Sequence, residues 1–156
     1  MRSCWLLLGL ALGASSLVSV EAAAAKSAKI IKVLPHYLDR EGRISLSPSL
    51  FERDAYQALL RQDRKLCSGL RFDVQWKAKL ATTTQLKLRL ELVTPTVSRA
   101  RPLVLEQPVR PRALGSRWSR VALEGEAFRT AGEVTAWRVS LWHADQLLAD
   151  QRSFLW

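Results

Sequence analysis

Side chains able to do chemistry are few in this chain: His36 and His143 are its two histidines, Cys4 and Cys67 its two cysteines. Hydrolytic or redox catalysis needs a base placed beside a nucleophile or a metal. Here the two histidines fall on different elements, and neither is close to Cys67 in sequence. No charge cluster or motif beside Cys67 marks its thiol as activated, so it reads as a buried or inert side chain. His143 and Asp145 form an H-x-D pair, which as a metal site needs a further ligand from elsewhere and as a hairpin turn needs none. The stretch DREGR at 39–43 has too few carboxylates for a calcium loop. Phosphate-binding glycine loops, GxSxG and HExxH are absent from the sequence. These observations point away from an enzyme, and neither a cofactor nor a metal is expected.

Binding chemistry is better supplied. The chain carries 24 Lys and Arg against 14 Asp and Glu, a net charge of +10, and six tryptophans. Such a balance favours anionic partners such as phospholipid or lipopolysaccharide head groups, acidic glycans or nucleic acid. The opening MRSCWLLLGLALGASSLVSVEAAAA narrows this set. A basic start at Arg2, an apolar run from Trp5 to Leu12 and small residues at Ala22–Ala25 make the anatomy of a secretory signal peptide over 1–25. The run falls short of the roughly 20 apolar residues that a bilayer crossing needs. The expected product is an exported protein, periplasmic or secreted, cleaved near Ala22–Ala25. Export argues against nucleic acid, and membrane contact is expected to be peripheral at most. Cys4 goes with the leader, so the remaining single domain, 26–156, has only Cys67 and no internal disulfide; its core must supply the stability.

Strand signals dominate the rest. In LRFDVQWKAKL, Leu70, Phe72, Val74, Trp76, Ala78 and Leu80 alternate with polar residues, and LKLRLEL repeats the pattern with Leu86, Leu88, Leu90 and Leu92. KIIKVLPHYL predicts an opening strand, ended by a turn in which Gly42 takes a positive φ. A helix is predicted over about 48–62, capped by Ser47 or Ser49, with Glu52 completing a capping box. Its stripe of Phe51, Ala55, Tyr56, Leu59 and Leu60 is expected to face the core. Pro95, Pro102, Pro108 and Pro111 make 93–117 an irregular crossing with at most one edge strand, at LVL 103–105. SRWSRVALEG reads as a strand, EAFRTAGE as a compact corner, and EVTAWRVSLW as a strand with Trp137, Val139 and Leu141 inward. A hairpin at HADQ leads into LLADQRSFLW.

One helix and about seven short alternating strands predict an antiparallel β-sandwich. With an inward Trp76, a compact corner before WRVSLW and a last hairpin, residues 29–156 resemble an immunoglobulin or fibronectin type III sandwich. The paired cysteines of antibody domains are missing, and Phe128 stands where a tyrosine corner would be, without its hydroxyl. SPSLFERDAYQALLR, LRFDVQWKAKL and the ending AWRVSLW…SFLW also resemble small exported bacterial proteins without an assigned function, a likeness that implies a fold and a compartment but no active site.

The immunoglobulin order implies that 85–92, 134–143 and 146–155 share a sheet whose outer face carries Lys87, Arg89, Arg138, Ser140, Trp142, Asp150 and Arg152. A tryptophan among arginines suits anionic sugars or phosphate-bearing lipids through stacking and charge-assisted hydrogen bonds. Lys87, Arg89, Arg138, Trp142 and Arg152 are the candidate binding surface, for an anionic envelope component or a protein partner. The Pro- and Arg-rich 99–117 is a second candidate surface. An alternative role is assembly, in which an edge strand pairs with a partner's strand as in periplasmic pilus chaperones. Finally, RSFLW is expected to close the core as the end of the last strand, after a bulge near Leu147–Ala149, with its rings beside Trp137 or Trp118.

Overall fold

The computed structural model describes residues 28–156; the signal peptide expected over 1–25 and its cleavage site lie outside the described residues. The two long alternating segments form the centres of two antiparallel sheets. Strands β1 (Ala28–Asp39), β2 (Cys67–Ala78) and β5 (Arg117–Glu124) make one, in the order β1-β2-β5. Strands β3 (Leu86–Val93), β4 (Leu103–Val109), β6 (Ala136–His143) and β7 (Gln146–Arg152) make the other, in the order β4-β3-β6-β7. The three segments expected to share a sheet do so, and β4 joins them at the edge beside β3.

Alternation converts directly into a core. Phe72, Val74 and Trp76 of β2 face Leu88, Leu90, Leu92, Val139 and Leu141 of the other sheet, all fully buried. Phe72 meets the Trp137 ring edge-on, with centroids 6.0 Å apart. The indole nitrogen of Trp76, buried by this packing, donates to Ser119 Oγ at 2.9 Å across the β2–β5 pair. Gly69 lies where β2 passes close to β5: a Cβ there would stand 2.8 Å from the Leu123 carbonyl oxygen.

Three expectations need correction. The helix α1 spans Leu50–Gln62 with Ser49 as its cap, but of the expected stripe Leu60 alone is buried and Tyr56 partly so: Phe51 is 83% exposed and Leu59 48%, while Gln57, off the stripe, is buried. The reason is polar. Gln57 docks the helix on the free edge of β1, accepting from Tyr37 N at 2.7 Å and donating to the carbonyls of Tyr37 and Ile44. The corner at EAFRTAGE is a second helix, α2 (Gly125–Ala131), held by Phe128 in the core and by Arg64, whose guanidinium lies 4.2 Å from the Phe128 ring centroid and donates to the Phe128 and Gly132 carbonyls. Last, β7 stops at Arg152. Ser153 still exchanges hydrogen bonds with Trp137, and Arg99 ties the end by donating to the Leu155 carbonyl at 2.8 Å beside the half-buried Trp156 ring, but Phe154 is fully exposed and Leu155 63% exposed. Trp118, the other expected neighbour, stands on the outer face of β5 near its start, at the opposite end of the sandwich.

That end is bounded by the start of β1, the 79–85 and 110–116 loops and the 144–145 turn. The opposite end holds both helices, the 94–102 loop and residues 153–156.

Candidate functional site

The outer face of the four-stranded sheet is built by register. Lys87 lies opposite Trp142, Arg89 opposite Ser140 and Glu91 opposite Arg138, while Arg138 and Ser140 lie opposite Arg152 and Asp150. Lys87, Arg89, Arg138, Trp142 and Arg152 thus share one face. Pairing of β4 with β3 adds a neighbour that alternation alone does not reveal, because Glu106 falls opposite Arg89. The face becomes a ladder of ion pairs. Lys87 Nζ is 3.3 Å from Glu106, Arg89 sits between Glu91 and Glu106, and Arg138 bridges Asp150 at 3.0 Å and Glu91 at 3.8 Å. Three cations meet three carboxylates, leaving the fourth, Arg152, without an ion pair among the described residues. Trp142 is half-buried and its N–H donates to Ser140 Oγ at 2.8 Å. Cations so matched have little charge left for a ligand.

The catalytic candidates do not converge. Cys67 lies at the helix-bearing end and His143 at the other. The Cys67 sulfur is 3.1 Å from the Leu60 carbonyl, and burial pushes its thiol up from the ordinary value, the reverse of an activated thiolate. His36 donates to Asp73 at 3.2 Å on the outer face of the three-stranded sheet, where Asp73 also takes Arg71 at 2.9 Å and Arg120 at 3.5 Å. Burial raises the Asp73 carboxyl, but the bonds from His36 and Arg71 outweigh it and hold the group below its ordinary value. Among the described residues, no three His, Cys, Asp or Glu side chains gather in a metal-holding group.

The second candidate segment, 99–117, is divided by β4. Arg99 and Arg101 go to the helix-bearing end, while Arg110, Arg112 and Arg117 go to the other, beside the 79–85 loop. There Lys77, Lys79 and Arg112 line a cleft of about 450 Å³ with Leu80 and Leu114, and no carboxylate lines it. Lys29, Lys77, Lys79, Arg110, Arg112 and Arg117 are all exposed, and none is in an ion pair among the described residues. The segments 77–85 and 110–120 contain no Asp or Glu; among the described residues, the carboxylate of this end is Asp145, in the 144–145 turn. A sequence signal existed in those two acid-free stretches, but they lie 25 or more residues apart and only the fold joins them.

No protein-family model matches this chain, and no curated protein does. Among solved structures, a β-glucosidase from Kluyveromyces marxianus is similar at 15% identity and a TM-score of 0.28, over 55% of this chain and 12% of that one. The chain therefore spans about an eighth of that enzyme's length, and a likeness this shallow carries nothing about fold or activity.

A second concavity lies at the helix-bearing end. It measures about 330 Å³ and is lined by Tyr37, Phe72, Trp137, Phe154 and Leu155, with Arg61 and Glu133 also in its lining. Phe154 and Leu155, expected to seal the core, instead line this opening.

Proposed function

We propose that this chain is an exported, non-catalytic binding module of the bacterial envelope that holds an anionic component through cations free of internal partners. The strand order supports an immunoglobulin-like reading of the sandwich. With strands lettered A, B, C, C′, E, F and G in chain order, A-B-E faces C′-C-F-G, the fourth strand pairing with C instead of E. The observation that carries the function is the acid-free cleft of Lys77, Lys79 and Arg112. Exposed cations without counter-charges keep their field for a ligand, whereas the Arg89 and Arg138 ladder spends it on Glu91, Glu106 and Asp150. The binding surface is accordingly displaced from the tryptophan face to the end of the sandwich.

Retention on immobilised heparin, a generic acidic glycan, and on anionic vesicles tests this. Lys77→Glu with Arg112→Glu is expected to lose most retention at physiological salt. Arg138→Ala with Trp142→Ala is expected to keep it, since those side chains are already engaged within the sheet. The reverse result would return the site to the four-stranded face.

A further inference from the structure

We infer that the acid-poor end of the sandwich docks end-on against a bilayer containing anionic phospholipid; this rests on the anion-binding reading above and deepens it. Leu114 stands 88% exposed in the 110–116 loop, beside the cleft of Lys77, Lys79 and Arg112. A soluble glycan would use the cations but gain nothing from a leucine held out into water. A bilayer uses both: the leucine passes the head groups while the lysine and arginine heads stay at phosphate level. Trp118, 48% exposed on the adjoining face of β5, is of the type that favours such an interface.

One further feature bears on the orientation. The opposite end intersperses the carboxylates of Glu41, Asp54 and Glu126 with their partners Arg43, Arg53 and Arg129, so its charge is mixed and offers an anionic surface less than the acid-poor end does.

Co-sedimentation of the full chain, recovered as the cell processes it, tests the docking with phosphatidylglycerol–phosphatidylethanolamine vesicles against phosphatidylcholine vesicles. Any contribution of the N-terminal segment is common to every variant and cancels. Selective partition onto the anionic vesicles is expected, weakened roughly fivefold for each cation neutralised, and about tenfold by Leu114→Ser, with unchanged thermal midpoints. A Leu114→Ser chain that partitions like wild type while Lys77→Glu/Arg112→Glu does not would overturn bilayer docking and leave anion binding standing. So would retention on heparin without partition onto vesicles. Failure to hold either probe would remove both readings.

Discussion

The side-chain amide of Gln57 pairs with the backbone of Tyr37 as a neighbouring strand would, taking its N–H at 2.7 Å and giving an N–H to its carbonyl at 2.9 Å. Two residues back along the same free edge of β1 stands Pro35, which has no N–H to offer. Together they blunt an edge that otherwise invites pairing. Gln57→Leu removes three hydrogen bonds and leaves Tyr37 and Ile44 backbone groups unpaired, so a loss of about 2–4 kcal/mol is expected by urea unfolding. Association that grows with concentration is expected in sedimentation runs of the same variant. An unchanged monomer of wild-type stability would show that the amide neither holds α1 nor guards the edge.

Acid should weaken the fold through Asp39 and Asp73. Burial raises the Asp39 carboxyl, but backbone and side-chain bonds from Arg43, with one from Tyr56, overcome it and hold the group below its ordinary value. Asp73 is lowered in the same way by His36 and Arg71. A carboxyl lowered in the folded state stabilises fully above its unfolded value of about 3.9, and that contribution fades as pH falls through the folded value. The thermal midpoint is therefore expected to lose this contribution below about pH 4. Asp39→Asn should start lower at neutral pH and fall less steeply; equal acid slopes in the two proteins would refute the assignment.

Trp76 and Ser119 are predicted to depend on each other. Ser119→Ala strands the buried indole N–H and should cost about 1–3 kcal/mol. Trp76→Phe strands only a hydroxyl but removes fully buried ring atoms as well, so it should cost at least as much. Combining the two should cost less than the sum of the singles, because neither lost partner is then missed. Additive losses in a double-mutant cycle would rule the bond out.

Removal of Phe154, Leu155 and Trp156 should be mild. The last side-chain bond to the sheet is Ser153 Oγ with Trp137 N at 3.0 Å, and Phe154 is fully exposed. A chain ending at Ser153 is expected to lose about 1–2 kcal/mol, from the Arg99 bond to the Leu155 carbonyl and the half-buried Trp156 ring, and the ring-lined opening beside Trp137 becomes shallower. Cooperative unfolding at room temperature would restore the sequence-based expectation that these rings close the core.

What could be read along the chain follows how local each signal is. In β2 and β3, strict alternation names both faces, because a strand's period is set by its own backbone. Ser49 and Gly42 mark a cap and a turn within a few residues. The helix face failed at Gln57, since its partners at Tyr37 and Ile44 lie 20 and 13 residues away and hydrophobicity cannot register a polar anchor. The tryptophan face was legible as a face but not in its charge: Lys87, Arg89, Arg138, Trp142 and Arg152 share it, but Glu106 reaches it only because β4 pairs with β3.

Composition and periodicity alone determined the strand-rich class, the long central strands with their buried sides, and the cation excess, all properties of short windows or whole-chain sums. Tertiary structure decided which cations remain free. It stitched carboxylates from β3, β4 and β7 between the arginines of one face and gathered two acid-free loops at one end. Charge pairing acts over a few ångströms of space, and distance along the chain does not reveal it.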